Sequence, residues 1–146
     1  MDSKINQISR HGAYGVLLQD SRILLTLKKS GPYKGLWGLP GGAIEFGETP
    51  EEALKRELLE ETALAAAQLE LLSIATTIGK YDNHGERYQF HHIGIIYKVS
   101  NLILMPGLVP EEEGRWVALK DIKHDELTPF AKHVLKKSLN FICCGE

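Results

Sequence analysis

Three glutamates, Glu57, Glu60 and Glu61, stand within a thirteen-residue stretch, Pro50 to Thr62, that reads as a helix. At about 100° per residue they span an arc of roughly 100°, so their carboxylates share one face. Part of the surrounding charge is what any solvated helix shows. Glu51 with Lys55, Glu52 with Arg56, and Arg56 with Glu60 all have the i,i+4 spacing of surface ion pairs. Glu57 and Glu61 differ, because they are like charges four residues apart with no lysine or arginine four residues further on. Such a pair costs about 0.2–0.5 kcal/mol and calls for a cation. Clustered oxygen donors suit Mg²⁺, with Mn²⁺ or Ca²⁺ as alternatives, rather than zinc, which prefers nitrogen and sulfur. Mg²⁺ keeps part of its water and takes phosphate oxygens as ligands, which fits a half-exposed carboxylate patch.

The elements that position this patch can be read on either side of it. Thr49 is the expected N-cap, Pro50 the first helical residue and Glu52 the closing member of a capping box. Just before it, residues 29–47 are dense in glycine and proline, so this stretch is loop with short strands at most around Leu36–Leu39 and Ala43–Glu45. A loop of this kind lets backbone approach a ligand closely. Ala13–Gln19 and Arg22–Lys28 are apolar runs separated by Asp20-Ser21, a hairpin pattern. Leu69–Ile78 and Tyr88–Val99 read as longer strands joined by a polar turn over Tyr81–Gly85, and Arg115–Leu119 as another strand. Thr128-Pro129 opens a closing helix with Phe130, Val134, Leu135 and Ile142 on its apolar side. The expected fold is α/β, one domain over residues 1–146, a mixed β-sheet sandwiched between helices.

Composition narrows the partners. Hydrophobic residues at 43% and charged residues at 25% place the chain among ordinary soluble domains. A net charge of −2 argues against a face that binds duplex nucleic acid. No apolar run approaches the roughly 20 residues that span a bilayer, and the polar start lacks a signal-peptide core, so a cytoplasmic location is expected. Cys143 and Cys144, adjacent and at the end, make neither a disulfide framework nor a metal spacing and are expected to be a reduced, frayed pair.

From Gly42 to Leu64 the sequence resembles the Nudix box: a glycine, five residues, Glu48, seven residues, then Arg56-Glu57-Leu58-Leu59-Glu60-Glu61-Thr62-Ala63-Leu64. Leu36-Trp37-Gly38-Leu39-Pro40-Gly41 and Glu113-Gly114-Arg115-Trp116-Val117 look like the same family. The resemblance implies the Nudix fold and a Mg²⁺-dependent (or Mn²⁺-dependent) hydrolase that cleaves the phosphoanhydride bond of a nucleoside diphosphate linked to another group. It implies that Glu57, Glu60 and Glu61 are metal ligands with the Gly42 carbonyl, and that Arg56 and Glu48 orient the carboxylates. A further acid from a late loop is implied too, which Glu111-Glu112-Glu113 would supply, with Glu112 taken as the representative. Glu57, Glu61 or this late cluster would accept the proton of the attacking water. One position departs from the pattern: Ala63 stands where the family has glycine. A left-handed alanine costs on the order of 1 kcal/mol, so the helix is expected to run on into Ala65-Ala66-Ala67.

Lys28, Lys34 and Arg22 are candidate phosphate contacts, and Tyr14, Tyr33, Phe90 and Trp116 are candidates for stacking on a base, although strand aromatics more often build cores. His91 and His92 alternate across a strand, so at most one faces any pocket. The partner is a small nucleotide-type molecule: a nucleoside triphosphate first, a nucleotide sugar or ADP-ribose as alternatives. A nucleotide-binding domain that senses without hydrolysing, a purely structural domain with a charged helix, and a homodimer stay open at this point.

Overall fold

The computed structural model describes residues 4–144, with side chains through residue 138. Strands β1 (Ile5–Gln19) and β2 (Arg22–Leu27) form the expected hairpin, with Leu18 opposite Ile23. Its two turn residues, Asp20 and Ser21, both take positive φ, 52° and 60°, as a two-residue turn matched to strand twist demands. Short strands β3 (Trp37–Gly38) and β4 (Gly41–Ala43) interrupt the glycine-rich loop before helix α1 (Pro50–Thr62). Strands β5 (Leu64–Asn83), β6 (Glu86–Leu104) and β7 (Gly114–Ala118) follow, then two 3-10 turns and helix α2 (Pro129–Cys144). The sheet is mixed. Its order is β3-β2-β1-β6-β5, with β4 paired to β1 and β7 to β2, and β1 running parallel to β6.

Alternation along β1 divides the core between two faces. Ala13 and Leu17 point to one side and pack with Leu24, Leu54, Leu58, Tyr97 and Val99 beneath α1. Tyr14 and Val16 point to the other and pack with Ile96, Phe130, Val134 and Leu135 beneath α2. The expected sandwich of one sheet between helices is therefore the observed one.

Three local expectations need correction. The first is the far end of α1. Ala63 adopts the left-handed conformation (φ 59°, ψ 21°) and its N–H donates to the Leu59 carbonyl, so the helix stops at Thr62 and Ala65–Ala67 belong to β5. Strand pairing wins over the conformational cost: Leu64 and Ala65 pair with Leu104 and Ile103, and Met105 N–H donates to the Ala63 carbonyl at 2.9 Å. The second is strand length. The ladder continues far past the apolar runs, from Leu64 opposite Leu104 to Asn83 opposite Glu86, narrowing the turn to His84-Gly85 with φ of 54° and 85°. Polar residues at Ile5–Gly12 join the sheet because β6 offers them a backbone partner, which no side-chain pattern announces. The third is β4, which pairs Gly41–Ala43 with Gly12–Tyr14 and leaves Glu45 in the following turn. Cys143 and Cys144 close α2, and the expectation about their thiols, like that about the Ile142 side chain, falls outside the described residues.

Candidate active site

Helix α1 begins with a complete capping box: Thr49 Oγ1 accepts from Glu52 N and Glu52 Oε1 accepts from Thr49 N, each at 3.2 Å. Glu52 is thus spent on the cap, and Glu51 accepts from the Tyr97 hydroxyl at 2.8 Å, so neither makes the i,i+4 pair that its spacing suggested. Arg56 does reach Glu60, at 3.5 Å, but its stronger bonds lie elsewhere. The guanidinium donates to both oxygens of Glu48, at 2.8 and 3.0 Å, to Glu57 Oε1 at 2.9 Å and to the Ala43 carbonyl at 3.1 Å. Glu48 also accepts from Glu45 N, so Arg56 ties the loop over Ala43–Glu48 to the helix while fixing one oxygen of Glu57. Arg56 is held even more firmly protonated and Glu48 below the usual carboxylate range, chiefly by their mutual hydrogen bonds.

The remaining carboxylates meet at the junction of α1, β4 and the loop before β7. Gly42 leaves room for Glu57: a Cβ there would come within 2.7 Å of the Glu57 carboxyl carbon. Glu61 is only 6% exposed, and its Oε1 accepts from Gly41 N at 2.8 Å. Backbone N–H groups of Glu111 and Glu112 donate to the carbonyls of Glu60 and Glu61, at 3.0 and 3.3 Å, satisfying the open end of the helix with the late loop. Of the late cluster it is Glu112 that turns inward, whereas Glu111 and Glu113 are exposed. Burial first, and then the Glu112 charge, push Glu61 up to about 8; burial likewise raises Glu57. Glu60 remains exposed at the rim.

Whether these groups suit a divalent ion can be tested on the atoms themselves. Among the described residues no three carboxylate, imidazole or thiolate side chains already converge into a ready-made cage. Glu112 Oε2 is nevertheless buried without a hydrogen-bond partner, beside two carboxylates, Glu57 and Glu61, whose ionisation is opposed chiefly by burial and then by neighbouring carboxylates. A buried, unpartnered carboxylate oxygen next to two further half-buried or buried carboxylates is the donor set a hard cation relieves, so the residues fit the group.

Beside the carboxylates, on the α2 face of the sheet, lies a cavity of about 370 Å³ lined by Arg10, Tyr14, Lys28, Tyr33, Phe90 and His92 among others. It adjoins the acidic cluster: the Lys28 charge favours and the Glu57 charge opposes the ionisation of Glu61, and both Glu57 and Glu61 act on Tyr14. His92 stacks on Phe130 at a centroid distance of 3.9 Å, and Tyr14 Oη lies 2.6 Å from His92 Nε2. The Arg10 guanidinium sits 5.3 Å above the Phe90 ring.

The structure thus gathers Gly42, Glu48, Arg56, Glu57, Glu61 and Glu112 at one junction and puts Lys28 in the neighbouring cavity. Lys34 is exposed in the loop, and Arg22 lines a different cavity, together with Trp116. Tyr14, Tyr33 and Phe90 line the site's cavity, and of the two histidines it is His92 that faces it. Arg10, Tyr81 and Phe130 were not foreseen. Arg10 and Tyr81 lie outside the apolar runs, and only the ladders on either side of β6, which set Arg10 opposite His92 and Tyr81 opposite Tyr88, bring them in.

The sequence profile of the NUDIX domain matches residues 9–138. This chain belongs to the Nudix hydrolase family. It is 31% identical over 147 residues to an 8-oxo-dGTP diphosphatase of Haemophilus influenzae, covering 96% of each chain. An ADP-ribose pyrophosphatase of Methanocaldococcus jannaschii is 37% identical over 83 residues, 57% of this chain, and there the Nudix chain spans only 46% of its relative's length. The crystal structure of a MutT NUDIX hydrolase from Burkholderia pseudomallei superposes with a TM-score of 0.72 at 30% identity, over 88% of this chain and 97% of the other. No helix among the described residues is long and apolar enough to cross a membrane.

Proposed function

We propose that this Nudix chain hydrolyses a phosphoanhydride bond of a nucleoside triphosphate in the presence of Mg²⁺ or Mn²⁺. The observation that carries this reading is the adjacency of two unlike sites. An aromatic, cationic cavity of about 370 Å³, within the range that takes a small organic ligand, opens beside a carboxylate cluster short of positive charge. The nucleoside occupies the cavity and the phosphates extend past Lys28 toward Glu57, Glu61 and Glu112. Glu57, Glu60, Glu61, Glu112 and the Gly42 carbonyl would hold the metal. When bound, it neutralises phosphate oxygens and acidifies the attacking water. Water adds across one P–O–P bridge, so one P–O bond forms, one breaks, and the water's proton passes to a carboxylate of the cluster. Arg56 and Glu48 do no chemistry themselves; they hold Glu57 in place.

A nucleotide sugar or ADP-ribose is the second reading, favoured by the likeness to the archaeal ADP-ribose pyrophosphatase. One panel separates the readings: nucleoside triphosphates, nucleotide sugars and ADP-ribose are incubated with enzyme and Mg²⁺, and the products weighed by mass spectrometry. Triphosphate turnover that vanishes in Glu61→Gln supports the proposal. Turnover confined to ADP-ribose or sugars replaces it with the second reading, and absence of any turnover would point to a binding domain.

A further inference from the structure

The cavity beside the carboxylates has an unusual inventory of hydrogen-bonding groups. Arg10 and Lys28 bring cationic donors, while Ser30, Tyr33, Tyr81 and Thr128 bring hydroxyls. Among the described residues no carboxylate and no carboxamide lines it. Its most constrained polar group is His92, whose plane is fixed by Phe130 stacked at 3.9 Å. Phe130 gains that place because Gly94 has no Cβ: one there would strike the Phe130 ring.

The tautomer of His92 follows from its neighbour. Tyr14 Oη and His92 Nε2 are 2.6 Å apart, a separation typical of an O–H donor and short for an N–H donor. This is also the only hydrogen bond recorded for the Tyr14 hydroxyl among the described residues, so if the ring nitrogen donated, the buried hydroxyl proton would go unpaired. Tyr14 therefore donates to Nε2, and the neutral ring must carry its proton on Nδ1. The positive charges of Arg10 and Lys28, added to burial, keep that ring from taking a second proton.

We propose that His92, its Nδ1–H set by Tyr14, is the specificity-determining donor of this cavity, and that it selects nucleobases presenting a carbonyl over those presenting an amino group. This inference rests on the reading of the cavity as the nucleoside site. A carbonyl edge, as in hypoxanthine, guanine or uracil, meets the Nδ1–H and the cationic donors. The amino group of adenine or cytosine meets a donor in its turn at His92, and among the described lining residues only the hydroxyls of Ser30, Tyr33, Tyr81 and Thr128, with no carboxylate or carboxamide, are left to accept from it. Tyr14 acts through His92 and is a positioning residue.

The test uses pairs that differ only in that group: ITP against ATP and UTP against CTP, each with Mg²⁺. Product-like IMP against AMP, titrated calorimetrically, adds a readout that needs no turnover. The wild type is expected to prefer the carbonyl member by about 10- to 100-fold in kcat/KM, the range for leaving one buried polar pair unmade, and mostly through KM. His92→Phe, which keeps a stacking ring without a donor, should bring the ratio near one. Tyr14→Phe should lower it partway and move the histidine proton between ring nitrogens in ¹⁵N spectra. A ratio near one in the wild type, or one that His92→Phe leaves unchanged, overturns the assignment while the nucleotide reading stands. If none of the four triphosphates turns over and neither monophosphate binds, the nucleotide reading falls and this assignment with it.

Discussion

Replacing Gly42 by alanine should disable the site while sparing the fold. The added methyl carbon would lie 2.7 Å from the Glu57 carboxyl carbon and 2.9–3.0 Å from its oxygens. Carbons rest at about 3.5–4.0 Å, so the carboxylate must retreat by about 0.8 Å or more from that 2.7 Å contact. It moves as the far end of a flexible side chain, and Gly42 is not among the residues with positive φ, so the backbone has no reason to strain. Stability should change by less than about 1 kcal/mol. Catalysis is less forgiving: a misplacement near 1 Å costs on the order of 100-fold, about 2.7 kcal/mol of barrier. Its neighbour supplies the contrast. Gly41 has φ of 132° and a Cβ there would strike the Ala13 carbonyl and the Tyr14 backbone, neither of which can yield, so Gly41→Ala should lose stability first. Mg²⁺-titrated nucleotide hydrolysis and urea unfolding, run on both variants, read the two effects separately. Wild-type kcat/KM and Mg²⁺ half-saturation in Gly42→Ala would refute the reasoning about Glu57.

Other outcomes follow from the same geometry. Arg56→Lys surrenders the two-pronged bond to Glu48 together with the bond to Glu57, and kcat/KM should fall about 10- to 100-fold; equal rates in steady-state assays would show that Arg56 does not orient Glu57. Ala63→Gly relieves about 1 kcal/mol of left-handed strain but gives up a buried methyl worth about 0.8 kcal/mol and adds unfolded-chain freedom, so urea midpoints should nearly coincide. A gain in unfolding free energy approaching about 1 kcal/mol would mean the packing of Ala63 contributes nothing. His92 is depressed from 6.5 to about 4, mainly by burial and then by Arg10 and Lys28. In that interval the unfolded chain binds the proton and the folded one does not, so stability is present above pH 6.5 and is lost as pH falls toward 4. Because the ring is partly exposed, the loss should be on the order of 1 kcal/mol rather than the full shift. Thermal melts of wild type and His92→Phe across that range should diverge on acidification, and parallel curves would argue against a neutral buried ring.

The helix that carries the carboxylates was legible because its signals are local: a cap, a proline at the first turn, and a charge spacing tied to the helical repeat. The two hairpin turns were legible for the same reason. What the sequence concealed depends on partners distant along the chain. Ile5–Gly12 carries no strand pattern and becomes strand by lying alongside Arg87–Gly94. Ala63 shows the same limit from the other direction, since a correct local estimate of its conformational cost lost to a ladder that begins one residue later. Within the site, the glutamate spacing could be read from one helix, but the choice of Glu112 over its two neighbours required the backbone bonds to Glu60 and Glu61. The cavity was least visible of all, because Arg10, Tyr33, Phe90 and Phe130 come from four separate segments.

The separation between the two halves of the site has a consequence for how such a protein changes over generations. The acidic junction is built by residues 41–61 and the loop at 111–112, whereas Arg10, Tyr81, Phe90 and His92 sit on the β1, β5 and β6 strands that run out beyond α1. The halves are joined where β4 pairs with Gly12–Tyr14 of β1, and the charges of Lys28 and Glu57 reach across that seam. On the proposed reading, substitutions in those outer strands would exchange one base preference for another while leaving the carboxylate junction in place. A lineage could diversify its diet along the ribbon while inheriting its cutting edge unchanged.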